Sequence, residues 1–336
     1  MAQNKRELID AVFHNQKADR VPVGFWHHFL GSPHTDNAFL HPELTDEVLK
    51  DHIAFYEAFH PDFLKIMTDG FFPYPNPSIL KVLDGPEDVK NLKPLGRDSQ
   101  WYEAQISFAA KLVERYGREV EVFYNLFTPY RAIQFAQETY NHPFDFVDWI
   151  RRDKEAVKEI LAVLAEDYAV LARGVIEEAG ADGIYFSVNN VDRSRLTRDE
   201  YEEVLAPGEI EVLQAANAAK DNNILHICGN KGFRNYLDWY KDYPVLVINW
   251  AAHVEEIPLE EGKKLFGGRA VIGGFGQTKE DVLYSGTKEE IEAETDRLLR
   301  EAGTTGIILG ADCTIPPDTD LDHLEWVRQA AAAFGK

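Results

Sequence analysis

The stretch Asn223-Ile-Leu-His-Ile-Cys-Gly-Asn230 combines a short apolar run with two residues that can bind a metal, His226 and Cys228. The run predicts a buried strand, and Gly229 marks its end. Residues i and i+2 of a strand point to the same face, so the imidazole and the thiol should project together from the end of this strand. The second cysteine of the chain, Cys313, ends another apolar run.

Eight apolar runs of this kind alternate with segments of helical periodicity. The predicted strands lie at 20–25, 62–67, 119–125, 183–188, 223–230, 244–249, 269–274 and 305–312. Their near-continuous apolar character suits strands that are buried on both faces. Eight βα units predict a closed parallel (β/α)8 barrel, or TIM barrel, whose functional groups lie on the loops after the strands. Because no linker or composition break is visible, we expect one domain over residues 1–336.

The helical segments carry their own end signals. Thr197 with Glu200, and Thr287 with Glu290, have the spacing of a capping box, which predicts a helix start at each site. The predicted helices lie at 3–14, 45–59, 86–117, 130–140, 153–179, after Thr197, at 288–302 and at 320–334.

The composition limits the classes of partner. The chain has a net charge of −22 and no basic stripe, which argues against nucleic acid and against an anionic membrane surface. No apolar run is long enough to span a bilayer, and the amino terminus begins an amphipathic helix rather than a signal peptide. Two distant cysteines do not suggest a disulfide framework. We therefore expect a cytoplasmic protein with reduced thiols.

Polar side chains follow most of the predicted strands, and a barrel would gather them at one mouth. The candidates for substrate binding are Trp26, His28, Asp69, Asn125, Asn189, Asn249 and Gln277. Adjacent strand residues point opposite ways, so His27 and His28 cannot both enter one site if the strand continues. Asp69 precedes a glycine and could equally be a turn residue. The segment 273–276 lacks the full glycine spacing of a phosphate-binding loop and predicts a tight turn at the rim.

His226, Cys228 and Cys313 form a candidate zinc-binding set, whose fourth position could take Asp312, water or a substrate. The alternative is a buried histidine beside a small apolar thiol. Both cysteines fall at the same predicted rim, which favours the metal, although Cys313 must reach across the mouth because its strand is not adjacent to that of His226. Two thiolates leave Zn²⁺ with no net charge, a state that suits binding a thiol as a thiolate and favours alkyl transfer to sulfur.

Several motifs resemble those of the uroporphyrinogen decarboxylase superfamily. They are Lys17-Ala-Asp-Arg-Val-Pro-Val23, Gly180-Ala-Asp-Gly-Ile-Tyr185, Val247-Ile-Asn-Trp250, Ala270-Val-Ile-Gly-Gly-Phe-Gly276, Ser285-Gly-Thr-Lys-Glu-Glu290 and Ile315-Pro-Pro-Asp-Thr319. The resemblance spans nearly the whole chain and implies a (β/α)8 barrel. The corrinoid:thiol methyltransferase branch carries His-x-Cys and a distant Cys before Ile-Pro-Pro. His226, Cys228 and Cys313 match this pattern, which implies that they are zinc ligands.

The resemblance implies a zinc-dependent methyltransferase that moves a methyl group between a corrinoid on a partner protein and a thiol such as coenzyme M or homocysteine. One alternative is a tetrapyrrole decarboxylase, in which Asp69 would grip pyrrole N–H groups. The segment 24–31, however, has none of the arginines expected to hold the tetrapyrrole carboxylates. A second alternative is a non-catalytic barrel that binds a corrinoid or a tetrapyrrole. Each of the three is compatible with a homo-oligomer.

Overall fold

The computed structural model describes residues 3–76, 78–79, 86–141, 145–189, 195–229 and 232–335. In this part of the chain, seven parallel strands form the centre of the fold. They are β1 (Phe63–Ile66), β2 (Glu121–Phe127), β3 (Gly183–Val188), β4 (Ile224–Ile227), β5 (Val247–Trp250), β6 (Ala270–Phe275) and β7 (Ile307–Ala311). Each strand pairs with the next one along the chain. Seven of the eight predicted strands are therefore confirmed, with shifts of a few residues at their ends.

The predicted strand at 20–25 is not a strand in the structure. Of these residues, which are all described, only Val23 forms a β-bridge, and its partner is Leu309 of β7. The segment nevertheless contacts both edges of the sheet: the Leu309 N–H donates to the Pro22 carbonyl at 2.9 Å, and the Asp62 N–H donates to the Val23 carbonyl at 3.0 Å. Because Pro22 has no N–H, it cannot donate to a ladder. The result is a curled seven-stranded sheet with a short bridging segment instead of eight full strands.

An ion pair between the partly buried Arg20 and the fully buried Asp62 holds the bridging segment beside β1. The Arg20 guanidinium donates to both carboxylate oxygens of Asp62, at 2.7 and 2.5 Å, and the Val23 N–H donates to Asp62 at 2.7 Å. Bidentate arginine–carboxylate pairs fix geometry as well as charge. The loop that follows, which carries His28 toward the mouth, is therefore anchored at its start.

Helices surround the sheet, and most of them lie on the connections between its strands. They are α1 (Lys5–Phe13), α2 (Glu43–Phe59), α3 (Gln100–Tyr116), α4 (Pro129–Tyr140), α5 (Phe146–Arg152), α6 (Lys154–Glu177), α7 (Arg198–Val204), α8 (Ala206–Ala219), α9 (Ala252–Glu255), α10 (Leu259–Leu265), α11 (Val282–Ser285), α12 (Lys288–Ala302) and α13 (Leu321–Ala333), with 3₁₀ helices at Pro86–Asn91 and Leu237–Tyr240. Both predicted capping boxes are present, at the starts of α7 and α12. None of the helices described here has the length and apolar composition to cross a membrane.

The helix predicted at 86–117 is divided in two. A 3₁₀ helix ends at Asn91, and α3 begins only at Gln100, after a break at Leu95 and Gly96. Gly96 has a positive φ of 74°, which a helix does not accept. The N–H groups of both break residues donate to the carboxylate of Asp167 on α6, at 2.7 and 2.9 Å. Pro94 and Gly96 mark the break in the local sequence, because both residues interrupt helices, and the long-range contact with Asp167 fixes its geometry.

One face of the sheet, here called the inner face, explains how the site is formed. Its apolar residues at the strand starts pack together with Ile9, Val12 and Phe13 of α1. They are Phe63, Phe123, Tyr185, Ile224 and Val247. Two residues further along each strand, the same face carries Lys65, Asn125, Ser187, His226 and Asn249, all of them buried. The inner face is therefore apolar at its amino-terminal end and polar toward the carboxyl ends of the strands.

A buried carboxyl group on α8 should make stability depend on pH. Glu209 accepts hydrogen bonds from the hydroxyls of Tyr201 and Tyr243 at 2.5 Å each, and burial raises its pKa from 4.5 to about 7. The stability associated with a raised carboxyl pKa is present below pH 4.5 and is lost as the pH rises to 7. We expect Glu209→Gln to raise the free energy of unfolding by about 3 kcal/mol at pH 8 and to change it little at pH 4.5.

Urea unfolding at the two pH values measures this difference. The exposed Glu103→Gln on α3 is the control, and it should not alter the pH dependence. An equal effect of Glu209→Gln at both pH values would contradict the assignment.

Candidate metal centre and its cavity

The structure brings His226, Cys228 and Cys313 together. Their ligand atoms all lie within 4.8 Å of one another, and the Cys313 Sγ is 3.3 Å from His226 Nε2. His226 belongs to β4, and the Cys228 N–H donates to the Val188 carbonyl at 2.8 Å, which continues the pairing of β3 with β4. Cys313 follows β7 and reaches across the mouth to the other two. One imidazole and two sulfurs in this arrangement fit zinc and leave a fourth position open.

Asn249 sets the tautomer and the orientation of the His226 ring. The Asn249 Nδ2 donates to the carbonyls of Ile272 and Ala311 at 2.9 and 3.2 Å, so its Oδ1 must be the acceptor for His226 Nδ1. The proton of the neutral ring therefore sits on Nδ1. The lone pair of Nε2 is left toward the sulfur of Cys313, as a metal ligand requires.

Removing this support should weaken metal binding. We expect Asn249→Ala to lower zinc affinity about 10- to 100-fold, because the ring would lose the hydrogen bond that fixes its tautomer. Competition with a chromophoric chelator measures the affinity. Asn189→Ala, which changes an amide in the cavity wall, is the matched control and should keep the affinity of the unaltered protein. Unchanged zinc affinity in Asn249→Ala would contradict the positioning role.

A hydrogen bond between the side chains of Cys228 and Cys313 shifts their pKa values in opposite directions. The hydrogen bond from the Cys228 thiol holds the pKa of Cys313 well below its usual range. The same hydrogen bond, together with burial, raises the pKa of Cys228. Cys313 is therefore the cysteine that gives up its proton more readily, and the thiolate is the form that binds metals.

Lys65 supplies a buried positive charge that the sequence analysis did not identify. Its ammonium lies 4.0 Å from the ring centroid of Tyr185 and 4.7 Å from that of Trp26. Burial lowers the pKa of Lys65 to about 8, and its charge interacts with the sulfurs of Cys313 and Cys228. Lys65 lies within β1, whereas the predicted site residues are those that follow the strands. A single charged residue inside an apolar run was the available signal.

A cavity of about 490 Å³ opens above the cluster at the carboxyl ends of the strands. It is large enough for a small ligand. The cluster residues, Lys65 and Arg131 line it, and so do five residues that the sequence analysis named. These five are His28, Asn125, Asn189, Gln277 and Asp312.

Three of the predicted substrate-binding residues do not line this cavity. Trp26 packs below it, with its ring 5.2 Å from that of Tyr185. Asn249 lies behind His226. Asp69 is fully buried, and its carboxylate accepts three hydrogen bonds from the loop at 28–30. The donors are His28 Nδ1 at 2.8 Å and the N–H groups of Phe29 and Leu30 at 2.6 and 3.2 Å. These side chains support the site from behind its wall.

Two further polar groups lie in the cavity wall. Arg131, at the start of α4, is buried with its guanidinium 4.3 Å from the Phe135 ring centroid. Asp312 accepts the N–H of His253 at 2.9 Å and its Nδ1–H at 3.0 Å, both on Oδ2, and this hydrogen bond raises the pKa of His253. The carboxylate of Asp312 is outside the ligand cluster formed by the described residues. The predicted use of Asp312 as a fourth ligand therefore does not occur in this geometry.

Comparisons with known proteins agree with this architecture. A methyltransferase from Methanosarcina mazei superimposes with a TM-score of 0.69 over 98% of each chain at 17% identity, which shows a shared fold. A B12-independent methionine synthase from Shewanella sp. W3-18-1 matches more loosely, with a TM-score of 0.46 and 16% identity, over 68% of this chain and 65% of that one. No curated protein sequence matches. A family model described as uroporphyrinogen decarboxylase (URO-D) matches residues 70–334, which is most of the chain. The resemblance seen in the sequence is thereby confirmed, and this chain belongs to the uroporphyrinogen decarboxylase family.

Proposed function

We propose that the protein is a zinc-dependent methyltransferase that moves a methyl group between a corrinoid and a small thiol. The observation that carries the proposal is the cluster of His226, Cys228 and Cys313 beside a cavity, with its three donor atoms within 4.8 Å of one another. The corrinoid and its carrier protein enter the proposal through the family, because the methyltransferase branch shares this His-x-Cys and Cys pattern.

The residues of the chain have distinct parts in this proposal. His226 would offer Nε2 to the metal, and Cys228 and Cys313 would offer their sulfurs. Zinc, when bound, would hold the substrate thiol as a thiolate. In the transfer, the thiol proton goes to solvent, the sulfur lone pair forms the bond to the methyl carbon, and the methyl donor keeps the electron pair of the bond that breaks. Lys65 would stabilise the added negative charge.

The decarboxylase alternative has less support. It needs Asp69 free to accept pyrrole N–H groups, but His28 and two backbone N–H groups already occupy that carboxylate. A tetrapyrrole with several carboxylates also needs several fixed cations. Among the described residues that line the cavity, Lys65 and Arg131 are the only lysine and arginine.

One assay separates the three candidate functions. Zinc-loaded protein is incubated with methylcobalamin and a small thiol, and the methylated thiol is quantified by mass spectrometry. We expect transfer that depends on both zinc and protein, and no release of CO₂ from uroporphyrinogen in a parallel reaction. Binding of the corrinoid without transfer would favour the non-catalytic barrel, and decarboxylation by metal-free protein would favour the decarboxylase.

A further inference from the structure

We propose that the substrate of this site is an amino-acid thiol, whose ammonium group is bound by Asp312 and whose carboxylate is bound by the cations of the cavity. This inference rests on the proposed function, because it takes the thiol to be held at the cluster of His226, Cys228 and Cys313. It adds the chemical class of the thiol, which the cluster alone does not define.

The first observation is an unsatisfied carboxylate oxygen. Asp312 is 1% exposed and lines the cavity, and its Oδ1 has no hydrogen-bond partner in the described part of the chain. Its other oxygen already accepts two hydrogen bonds from His253. A buried acceptor without a donor is costly, so a ligand that supplies the donor would be favoured. Because Asp312 and the three cluster residues line the same cavity, one small ligand in this cavity can contact both.

An ammonium group fits this position better than other donors. It brings a positive charge to a carboxylate, and its three N–H groups can reach three acceptors. Two more buried oxygens of the cavity wall have no partner among the described residues, namely Oδ1 of Asn189 and Oε1 of Gln277. The oxygen and the nitrogen of an amide can exchange places by rotation of the group, so these two residues give only supporting evidence for an ammonium. The main evidence is the unpaired oxygen of Asp312.

The cavity also offers cations for the carboxylate of such a ligand. Lys65 and Arg131 are both 6% exposed and line the same cavity, in a chain whose net charge is −22. Arg131 Nη1 already donates to Gln134 at 3.0 Å and to Glu138 at 3.4 Å, so Lys65 is the stronger candidate for the ligand carboxylate. Charges of both signs in one small cavity match a zwitterion. A thiol that carries only an anionic group would use the cations but leave the Asp312 oxygen unpaired and place its charge in a cavity that also contains this carboxylate.

Four thiols test the inference by calorimetry on the zinc-loaded full chain. L-homocysteine carries both charged groups, 4-mercaptobutyrate lacks the ammonium, 3-mercaptopropylamine lacks the carboxylate, and 2-mercaptoethanesulfonate has only an anionic group. We expect L-homocysteine to bind about 10- to 100-fold more tightly than 4-mercaptobutyrate, since one charge-assisted contact is lost. We expect 3-mercaptopropylamine and 2-mercaptoethanesulfonate to bind more weakly than L-homocysteine as well.

The variant Asp312→Asn tests whether Asp312 is the residue that binds the ammonium group. It should weaken L-homocysteine about 10-fold or more, bind 4-mercaptobutyrate at least as tightly as the unaltered protein because a like charge is removed, and keep the zinc content of the unaltered protein. Equal affinity of the unaltered protein for L-homocysteine and 4-mercaptobutyrate overturns the inference, and this result needs no variant. Loss of zinc from folded Asp312→Asn also overturns it, because Asp312 would then serve the metal.

The failure of this inference can be told from a failure of the proposed function. If 2-mercaptoethanesulfonate binds to the zinc-loaded protein and is methylated at least as well as L-homocysteine, the amino-acid thiol is wrong and the methyltransferase stands. If no thiol binds to zinc-loaded protein, both are wrong.

Discussion

Cys228→Ser and Cys313→Ser should each lose most of their zinc and lower methyl transfer to the thiol by more than about 100-fold. The removal of a residue that only supports a metal ligand costs about 10- to 100-fold, so the removal of a ligand itself should cost more. Serine preserves the size of the side chain, but its hydroxyl stays protonated near neutral pH and is a poor zinc ligand. Elemental analysis of the purified variants gives the metal content, and the transfer assay gives the activity.

The control for these two variants is Ser187→Ala. Ser187 lies on β3, is paired in register with His226 and lines the same cavity, but it is outside the ligand cluster. It should keep its zinc. Full zinc retention in both cysteine variants would show that the metal, if present, is bound elsewhere.

Lys65→Met should weaken thiol binding to the zinc-loaded protein about 10- to 100-fold. Zinc with two cysteine thiolates carries no net charge, so a bound substrate thiolate adds one negative charge to a buried site. An opposite charge nearby stabilises such an anion by the equivalent of about one to two pKa units, and methionine removes that charge with little change of volume. Calorimetry with 3-mercaptopropylamine, which has no carboxylate for Lys65 to bind, measures the affinity.

Two controls show whether the loss of affinity comes from the lost charge of Lys65 or from damage to the site. They are the zinc content of Lys65→Met and the thiol affinity of a second lysine variant. Lys65→Met should keep its zinc, because lysine is not part of the ligand cluster. Lys111→Met, an exposed position on α3, should bind the thiol as the unaltered protein does. Unchanged thiol affinity in Lys65→Met would exclude the proposed role of its ammonium.

Much of the fold could be predicted because its strands are nearly continuous apolar runs. Such runs are typical of parallel strands that are buried on both faces, and seven of the eight were found. The run at 20–25 has the same composition, but Pro22 lacks the N–H that a longer ladder needs, and a single bridge at Val23 remains. The break near Gly96 was missed because the prediction followed the helical period across Pro94 and Gly96, two residues that end helices; the contacts with Asp167 then fix its geometry.

The candidate site was partly predictable for a similar reason. His226 and Cys228 could be paired from the two-residue period of one strand, and Cys313 from its place at the end of another. The functions of Asn249 and Asp69 depend on contacts between different loops and strands, which the sequence does not display. Lys65 was not predicted, because the predicted site residues follow the strands, whereas the inner face becomes polar before the strands end.

X-ray absorption at the zinc edge tests the central claim most directly, since it counts the sulfur atoms around the metal with and without a thiol. Zinc-loaded protein alone should show two sulfurs and one imidazole nitrogen, from Cys228, Cys313 and His226. After addition of L-homocysteine, the account predicts a third sulfur in the coordination sphere. A sulfur count that stays at two when the thiol is bound would contradict the activation of the thiol by zinc, and so would a zinc ion that has no sulfur ligands.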